Sequence, residues 1–325
     1  MHISAVGRGG ATTSSVRRTA TDCIAGTSSS AVASLARSMG LFHSTPLLNS
    51  APLSELVGCP VYLKMDALQP SGSFKDRGMA HLFVTLHRTR GAARFVSSSG
   101  GNAGLAAATV GAKLGVEVEV VVPETTKPLV VKRLKSLKAT VIVHGANWNA
   151  ADELARERVG ADPFAEYVSP YDHPLLWEGH SSLVDELVDD WGRVVGPEHA
   201  PPSHLVASVG GGGLLCGILE GLQRHGNVWT RGVAIVAAET HGAASFGASW
   251  AARQRNYAVA KSYHDPPLPN DDSSLWVTLD KIDSLATSLG ALRCSRDALD
   301  RAERHAAASS FAAVQCSDSE AVDVS

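Results

Sequence analysis

From residue 60 onward, short apolar runs alternate with helical segments, and this alternation constrains the fold more than any other feature of the chain. Strands are read at "VYLKM" (61–65), "ARFVSSS" (93–99), "VEVEVVVP" (116–123), "TVIVHG" (140–145), "HLVASVG" (204–210) and "VAIVAAE" (233–239). Helices are read at 102–115, 125–139, 147–160 and 212–226. The helix at 125–139 takes Thr125 or Thr126 as its cap and Pro128 in its first turn. Strands that alternate with helices build βαβ units, hence a mostly parallel sheet covered by helices on both faces. Two such blocks are visible, one before about residue 175 and one after about residue 200. A polar stretch with adjacent prolines, 253–274, reads as a long exposed loop. In open α/β sheets, ligands bind beyond the carboxyl ends of the strands, so the loops that follow strands are where a site is sought.

Composition narrows the function classes. The net charge of -3 gives no bulk attraction for nucleic acid. No apolar run is long enough to span a bilayer as a helix. The five cysteines (Cys23, Cys59, Cys216, Cys294 and Cys316) are scattered and form no CxxC pair, which argues against a zinc site or a disulfide framework and for a reducing compartment. The first 40 residues are rich in Ser, Thr and Arg, with Asp22 as their one acid. They read as a disordered leader before a cytoplasmic protein, with a mitochondrial transit peptide as the alternative.

Three loops carry chemistry. In "SGSFKDRG" (71–78), Lys75 sits among small residues that let a backbone approach a ligand, which suits a reactive amine; a surface-turn lysine is the plain alternative. In "SSSGGNAG" (97–104), a strand ends and a helix opens, so backbone N–H groups point at an anion such as a carboxylate; a simple turn capped by Asn102 or Ser99 is the alternative. In "SVGGGGLLCG" (208–217), four glycines between strand and helix form an anion cradle suited to phosphate, without the spacing of a Walker loop or a dinucleotide fingerprint. Glycine loses entropy on folding, so a tetraglycine with no ligand is the weaker explanation. His173 and His180, flanking "PLLWEG" on a loop and a helix start, read as ordinary polar residues, and Trp177 reads as core.

Together, a reactive amine, a carboxylate turn and a phosphate cradle are what holding pyridoxal phosphate and an amino acid requires. The segments "VYLKMDALQPSGSFKDRG", "SSSGGNAGLAAA", "YDHPLLWEGHSSLVDEL", "SVGGGGLLCGILEGLQ" and "AAETHGAASF" resemble the L-serine/L-threonine dehydratases of the fold-type II pyridoxal-phosphate enzymes, over about 41–323. The resemblance implies an α/β, tryptophan synthase β-like fold of two open, mostly parallel sheets. It implies a large domain from 41–68 and 176–325, a small domain inserted at 69–175, and a site between them. It implies that Lys75 carries the cofactor and that Phe74 packs on the pyridine ring. Ser99, Gly100, Asn102 and Ala103 would bind the substrate carboxylate, with Asn102 also reaching the cofactor. Gly210, Gly211, Gly212, Gly213 and Leu214 would bind its phosphate, and Glu239, Ala243 and Ser245 would lie at a monovalent cation such as potassium.

The implied reaction is β-elimination of L-serine or L-threonine to a keto acid and ammonia, a step of amino-acid metabolism that feeds gluconeogenesis. The implied assembly is a homodimer. The family pattern continues past Ser325, and no residue of this chain is assigned to the pyridine nitrogen. A non-catalytic cofactor-binding relative, another fold-type II enzyme such as a threonine synthase or serine racemase, and an unrelated nucleotide-phosphate binder stand as alternatives. The last gives Lys75 no role.

Overall fold

The computed structural model describes residues 29–254 and 276–323. The chain opens with α1 (Ser29–Ser38), β1 (Leu47–Asn49), α2 (Ala51–Val57) and β2 (Tyr62–Lys64). The first block follows as α3 (Lys75–Arg90), β3 (Arg94–Ser97), α4 (Asn102–Leu114), β4 (Glu117–Val122), α5 (Pro128–Ser136), β5 (Thr140–Val143), α6 (Trp148–Gly160) and β6 (Ala165–Val168). The long α7 (Pro174–Val194) leads to β7 (His204–Ser208), α8 (Gly213–Arg224), α9 (Gly226–Gly232), β8 (Ala234–Thr240), α10 (Ser245–Gln254), α11 (Arg296–Ala308), β9 (Phe311–Cys316) and α12 (Asp318–Asp323).

The alternation yields two parallel sheets, as the pattern requires. One has the order β5–β4–β3–β6, the other β7–β8–β9. In the first, the chain steps outward from β3 to β4 to β5, then crosses back to lay β6 on the other side of β3, with Ser97 opposite Val168. Strand order therefore reverses between β3 and β6. The loops that follow these two strands are therefore neighbours at the carboxyl end of the sheet, the place where open α/β sheets bind ligands. In the second sheet, Glu239 and Thr240 at the end of β8 lie beside Gln315 and Cys316 of β9.

Four expectations need correction. The segment 61–65 does form a strand, but β2 pairs antiparallel with β1 in a separate ribbon, Leu47 opposite Lys64. The leader is not disordered through residue 40: α1 begins at Ser29, and Val32 and Ala36 are buried with Leu41 and Phe42, because its apolar side packs on α3 and α7; residues 1–28 lie outside the described residues. Neither Thr125 nor Thr126 caps α5, because Pro128 starts the helix and makes Lys127 the cap. Residues 253 and 254 belong to α10 rather than to the loop expected at 253–274, whose remainder to residue 274 lies outside the described residues.

The core gathers α3, α7 and α8 between the sheets. Trp177 is buried there as expected, its indole Nε1 donating to the Tyr171 carbonyl at 2.8 Å. His180 is not an ordinary polar residue at a helix start. It lies in the interior of α7, 1% exposed, with its ring against Gly78 and its Cβ against Gly217, where a Cβ on either glycine would come within 2.5 Å.

Candidate active site

Lys75 is the first residue of α3, and Phe74 is its cap. The preceding turn is tied by the residues after the lysine. The Asp76 carboxylate accepts from the Ser71 amide at 2.7 Å, and burial pushes this acid up to about 6. Arg77 is fully buried and holds the start of the helix from the other side. Its Nε and Nη2 donate to the two Asp66 oxygens at 2.8 Å each, and its Nη1 and Nη2 donate to the two Glu186 oxygens, also at 2.8 Å. Lys64 adds an ion pair to Glu186 at 3.0 Å, and Arg37 another at 3.1 Å. Thus "KDR" reads as a reactive lysine followed by two anchors. The anchors' partners come from the turn before the lysine, from β2's flank and from α7.

The Lys75 ammonium donates to the Pro170 carbonyl at 2.7 Å and lies 5.0 Å from the Phe74 ring centroid. Burial lowers its pKa to about 8, so its neutral fraction at pH 7 is larger by roughly 300-fold than for a solvated lysine. Phe74 in turn meets the His180 ring edge-on at 5.0 Å. His180 stays neutral, because burial, and then the Lys75, Arg77 and His81 charges, hold its pKa well below the usual value.

Pro170 places this amine at the switch point, because it lies in the loop after β6, beside the loop after β3. In that second loop Ser99 and Gly100 are half-buried, Asn102 is exposed at the start of α4 and Ala103 is buried. Ser99 Oγ accepts from the Gly101 amide at 3.3 Å, and Gly101 rather than Asn102 is the helix cap. The amides opening α4 face the same end of the sheet, where an anion is favoured.

The glycine loop approaches from the second sheet. Gly212 is left-handed at φ +89° and caps α8. A Cβ on Gly211 would lie 2.1 Å from the Tyr171 ring, one on Gly212 2.6 Å from Ala298, one on Gly213 2.7 Å from the Tyr171 carbonyl and one on Gly210 3.0 Å from Leu289. Close packing alone therefore demands glycine at these positions, a correction to the view that an anion is needed to explain the run. Leu214 is half-buried in the first turn of α8. Tyr171, which the sequence did not single out, joins the parts: its ring covers Gly211, its hydroxyl donates to the Arg293 carbonyl at 3.0 Å, and its neighbour Pro170 receives Lys75. The structure thus brings Lys75 and Phe74 to the glycine loop through residues 170–171.

Glu239, Ala243 and Ser245 lie apart, at the end of β8 and the start of α10. Glu239 is buried, and its two oxygens accept from the Phe246 and Gly247 amides at 3.0 and 2.6 Å. Burial pushes this acid up to about 7. Ala243 is buried as well, and the buried Ser245 hydroxyl has no hydrogen-bond partner.

The family described as pyridoxal-phosphate dependent enzyme matches residues 18–325. The L-serine dehydratase/L-threonine deaminase of Homo sapiens is 42% identical over 262 residues, 80% of this chain and 70% of its own length. The protein of the same name from Mus musculus is 46% identical over 215 residues, 66% of this chain and 62% of its own length. The chain therefore spans 62 to 70% of the length of these curated relatives. A solved fungal L-serine ammonia-lyase from Rhizomucor miehei is 33% identical with a TM-score of 0.71, covering 87% of this chain and 79% of its own. The matched length, the paired parallel sheets and the lysine at the switch point agree: the chain belongs to the fold-type II family of pyridoxal-phosphate-dependent enzymes.

Proposed function

We propose that this chain is a pyridoxal-phosphate-dependent lyase that removes the β-hydroxyl of L-serine, and of L-threonine, to give pyruvate or 2-oxobutanoate and ammonia. The relatives' names support the reaction, and one observation in this structure carries it: a lysine amine of lowered pKa held by a neutral carbonyl at a switch point, beside a glycine loop that opens a helix. These residues fit the cofactor. The amine can add to its aldehyde, and the amides of Gly210, Gly211, Gly212, Gly213 and Leu214 surround a helix N-terminus that favours a phosphate.

When bound, pyridoxal phosphate supplies a conjugated ring that accepts electron density from the substrate α-carbon. The protein's own groups do the rest. The neutral Lys75 amine takes the α-proton as a base, and its pKa near neutrality suits that task. Ser99, Gly100, Asn102 and Ala103 hold the substrate carboxylate at the opening of α4. Phe74 gives the ring an apolar wall, backed by His180. Loss of water across the Cα–Cβ bond and hydrolysis of the product then balance serine against pyruvate and ammonia.

The same reading places a monovalent cation such as potassium at Glu239, Ala243 and Ser245; the unpartnered Ser245 hydroxyl beside a buried acid supports it. It takes the sheets of residues 94–168 and 204–316 as marking two domains, and the protein as a cytoplasmic homodimer whose pyruvate feeds gluconeogenesis. The four cysteines among the described residues, all free, support a reducing compartment. The test is Lys75→Ala. The variant should stay folded, lose the visible absorbance of lysine-bound cofactor and make no pyruvate from L-serine. Turnover retained without Lys75, or none from the wild type loaded with cofactor, refutes the reading.

A further inference from the structure

We propose that Asp152 is a positioning residue: through Ser98 and Tyr167 it holds the roots of the two loops that flank the switch point, and so sets the carboxylate turn against Lys75. The inference rests on the reading of 99–103 as that turn.

Asp152 is a buried acid of α6 where the helix packs on its sheet, beside apolar contacts and apart from the one other buried acid of that face, Glu119 of β4, which Arg94 and Arg158 pair. The other buried residues of α6, Ala151 and Ala155, pack with Val96, Val121 and Ala165. Packing alone would favour an apolar residue here too, because burying a carboxylate is costly unless donors satisfy it. Three donors do. Ser98 Oγ donates to Asp152 Oδ1 at 2.6 Å, the Tyr167 hydroxyl donates to the same oxygen, and Arg156 Nε donates to Oδ2 at 2.8 Å. Burial pushes the acid up, yet the hydrogen bonds from Ser98, Tyr167 and Arg156 bring its pKa below the ordinary value. The charged form is therefore the one built in. The Arg156 guanidinium also lies 4.0 Å above the Tyr167 ring and closes the cluster toward solvent.

The placement of the donors gives the cluster its use. Ser98 is the residue between β3 and Ser99. Tyr167 is in β6, three residues before the carbonyl that receives Lys75. The two strands are adjacent, with Ser97 opposite Val168. One carboxylate oxygen thus ties together the ends of the strands whose loops carry the substrate turn and the lysine's partner. A slip between these strand ends would move the carboxylate turn off the substrate group it holds, and binding lost equally from ground and transition states appears in KM.

The test uses the full chain with Asp152→Asn, Ser98→Ala and Arg156→Ala. Hydrogen exchange of the unloaded protein reads the positioning directly. Asp152→Asn and Ser98→Ala should each raise exchange of the amides at 98–104 and 169–171 by about tenfold, with α8 unchanged. With cofactor, both should raise KM for L-serine about tenfold and change kcat less than about twofold. The double variant should do no more than either single, because the two share one contact. Arg156→Ala should move exchange at 98–104 less than either, its side chain being 59% exposed and its one hydrogen bond to Asp152 made to the outer oxygen, away from the one that holds Ser98 and Tyr167. Should Asp152→Asn fail to fold, Ser98→Ala removes the same link by deleting one hydroxyl. Unchanged exchange at 98–104 in Ser98→Ala overturns the proposal, as does a loss of melting temperature with KM unmoved. If the wild type turns over no L-serine, the proposed activity fails while the exchange result still decides this inference.

Discussion

Replacing Arg77 by Met removes the cation at the centre of the buried network beneath Lys75. Arg77 is 0% exposed and makes four hydrogen bonds of 2.8 Å to Asp66 and Glu186. Methionine fills most of the volume but leaves the buried Glu186 and the half-buried Asp66 facing a thioether. Removing one member of a buried ion pair costs about 3–5 kcal/mol, mostly because the partner charge is stranded. Here the stranded acids keep other partners. Glu186 retains Lys64 and Arg37, and Asp66 retains the Thr45 hydroxyl at 2.7 Å. The loss should therefore sit at the low end, about 3 kcal/mol, or a fall in melting temperature of about 6–12 °C for a chain of this size.

The pH dependence supplies a second check. Burial alone would raise the Glu186 pKa, but Arg77, with help from Lys64, takes it below the ordinary value. A lowered carboxylate pKa contributes stability above the unfolded pKa and loses it as pH falls through the folded one. The gap between wild type and Arg77→Met should thus be full at pH 7 and narrow as pH is taken down past 4. Thermal unfolding followed by circular dichroism at both ends of that range measures it. A melting temperature within 2 °C of wild type at pH 7, an allowance smaller than about 1 kcal/mol would produce, refutes the account of Arg77 as the anchor of α3. Arg77→Lys should recover only part, since a lysine cannot bridge two carboxylates bidentately.

Gly211→Ala would put a Cβ 2.1 Å from the Tyr171 ring, so the loop or the ring must move. It should cost about 1–3 kcal/mol of stability and weaken cofactor binding at least about tenfold, read by titrating the visible absorbance; unchanged affinity would detach the glycine loop from the cofactor. Glu239, pushed up to about 7 by burial, contributes stability that is complete below its unfolded pKa and is lost as pH rises through 7. Without potassium the protein should lose up to about 3 kcal/mol between pH 5 and pH 8 from this group, and Glu239→Gln should flatten the slope; a slope that the substitution leaves intact counts against the buried acid.

The amino-acid sequence by itself determined the class of fold and singled out the candidate site segments. Alternation of short apolar runs with helical segments is a local signal, because strand and helix periods are set within a few residues, and it yielded both parallel blocks. Lys75, the turn at 97–104 and the glycine run announced themselves through glycine and serine in loops after strands, which is also local chemistry. What only tertiary structure decided was which loops meet. Strand order β5–β4–β3–β6 makes the loops after β3 and β6 neighbours, although 70 residues separate Ser99 from Ser169, and no spacing in the sequence encodes that order. The same holds for the supports. Asp66 and Glu186 reach Arg77 from 11 and 109 residues away, and Ser98 reaches Asp152 across 54. Glycine at 211 and 212 reads from the sequence as ligand chemistry alone, and only the tertiary structure adds the close packing of Tyr171 and Ala298 as a second reason for it. The division has a physical cause: backbone preference and periodicity act between near neighbours, whereas burial and ion pairing depend on what the folded chain brings alongside, and that is set only when the sheets and helices close on one another.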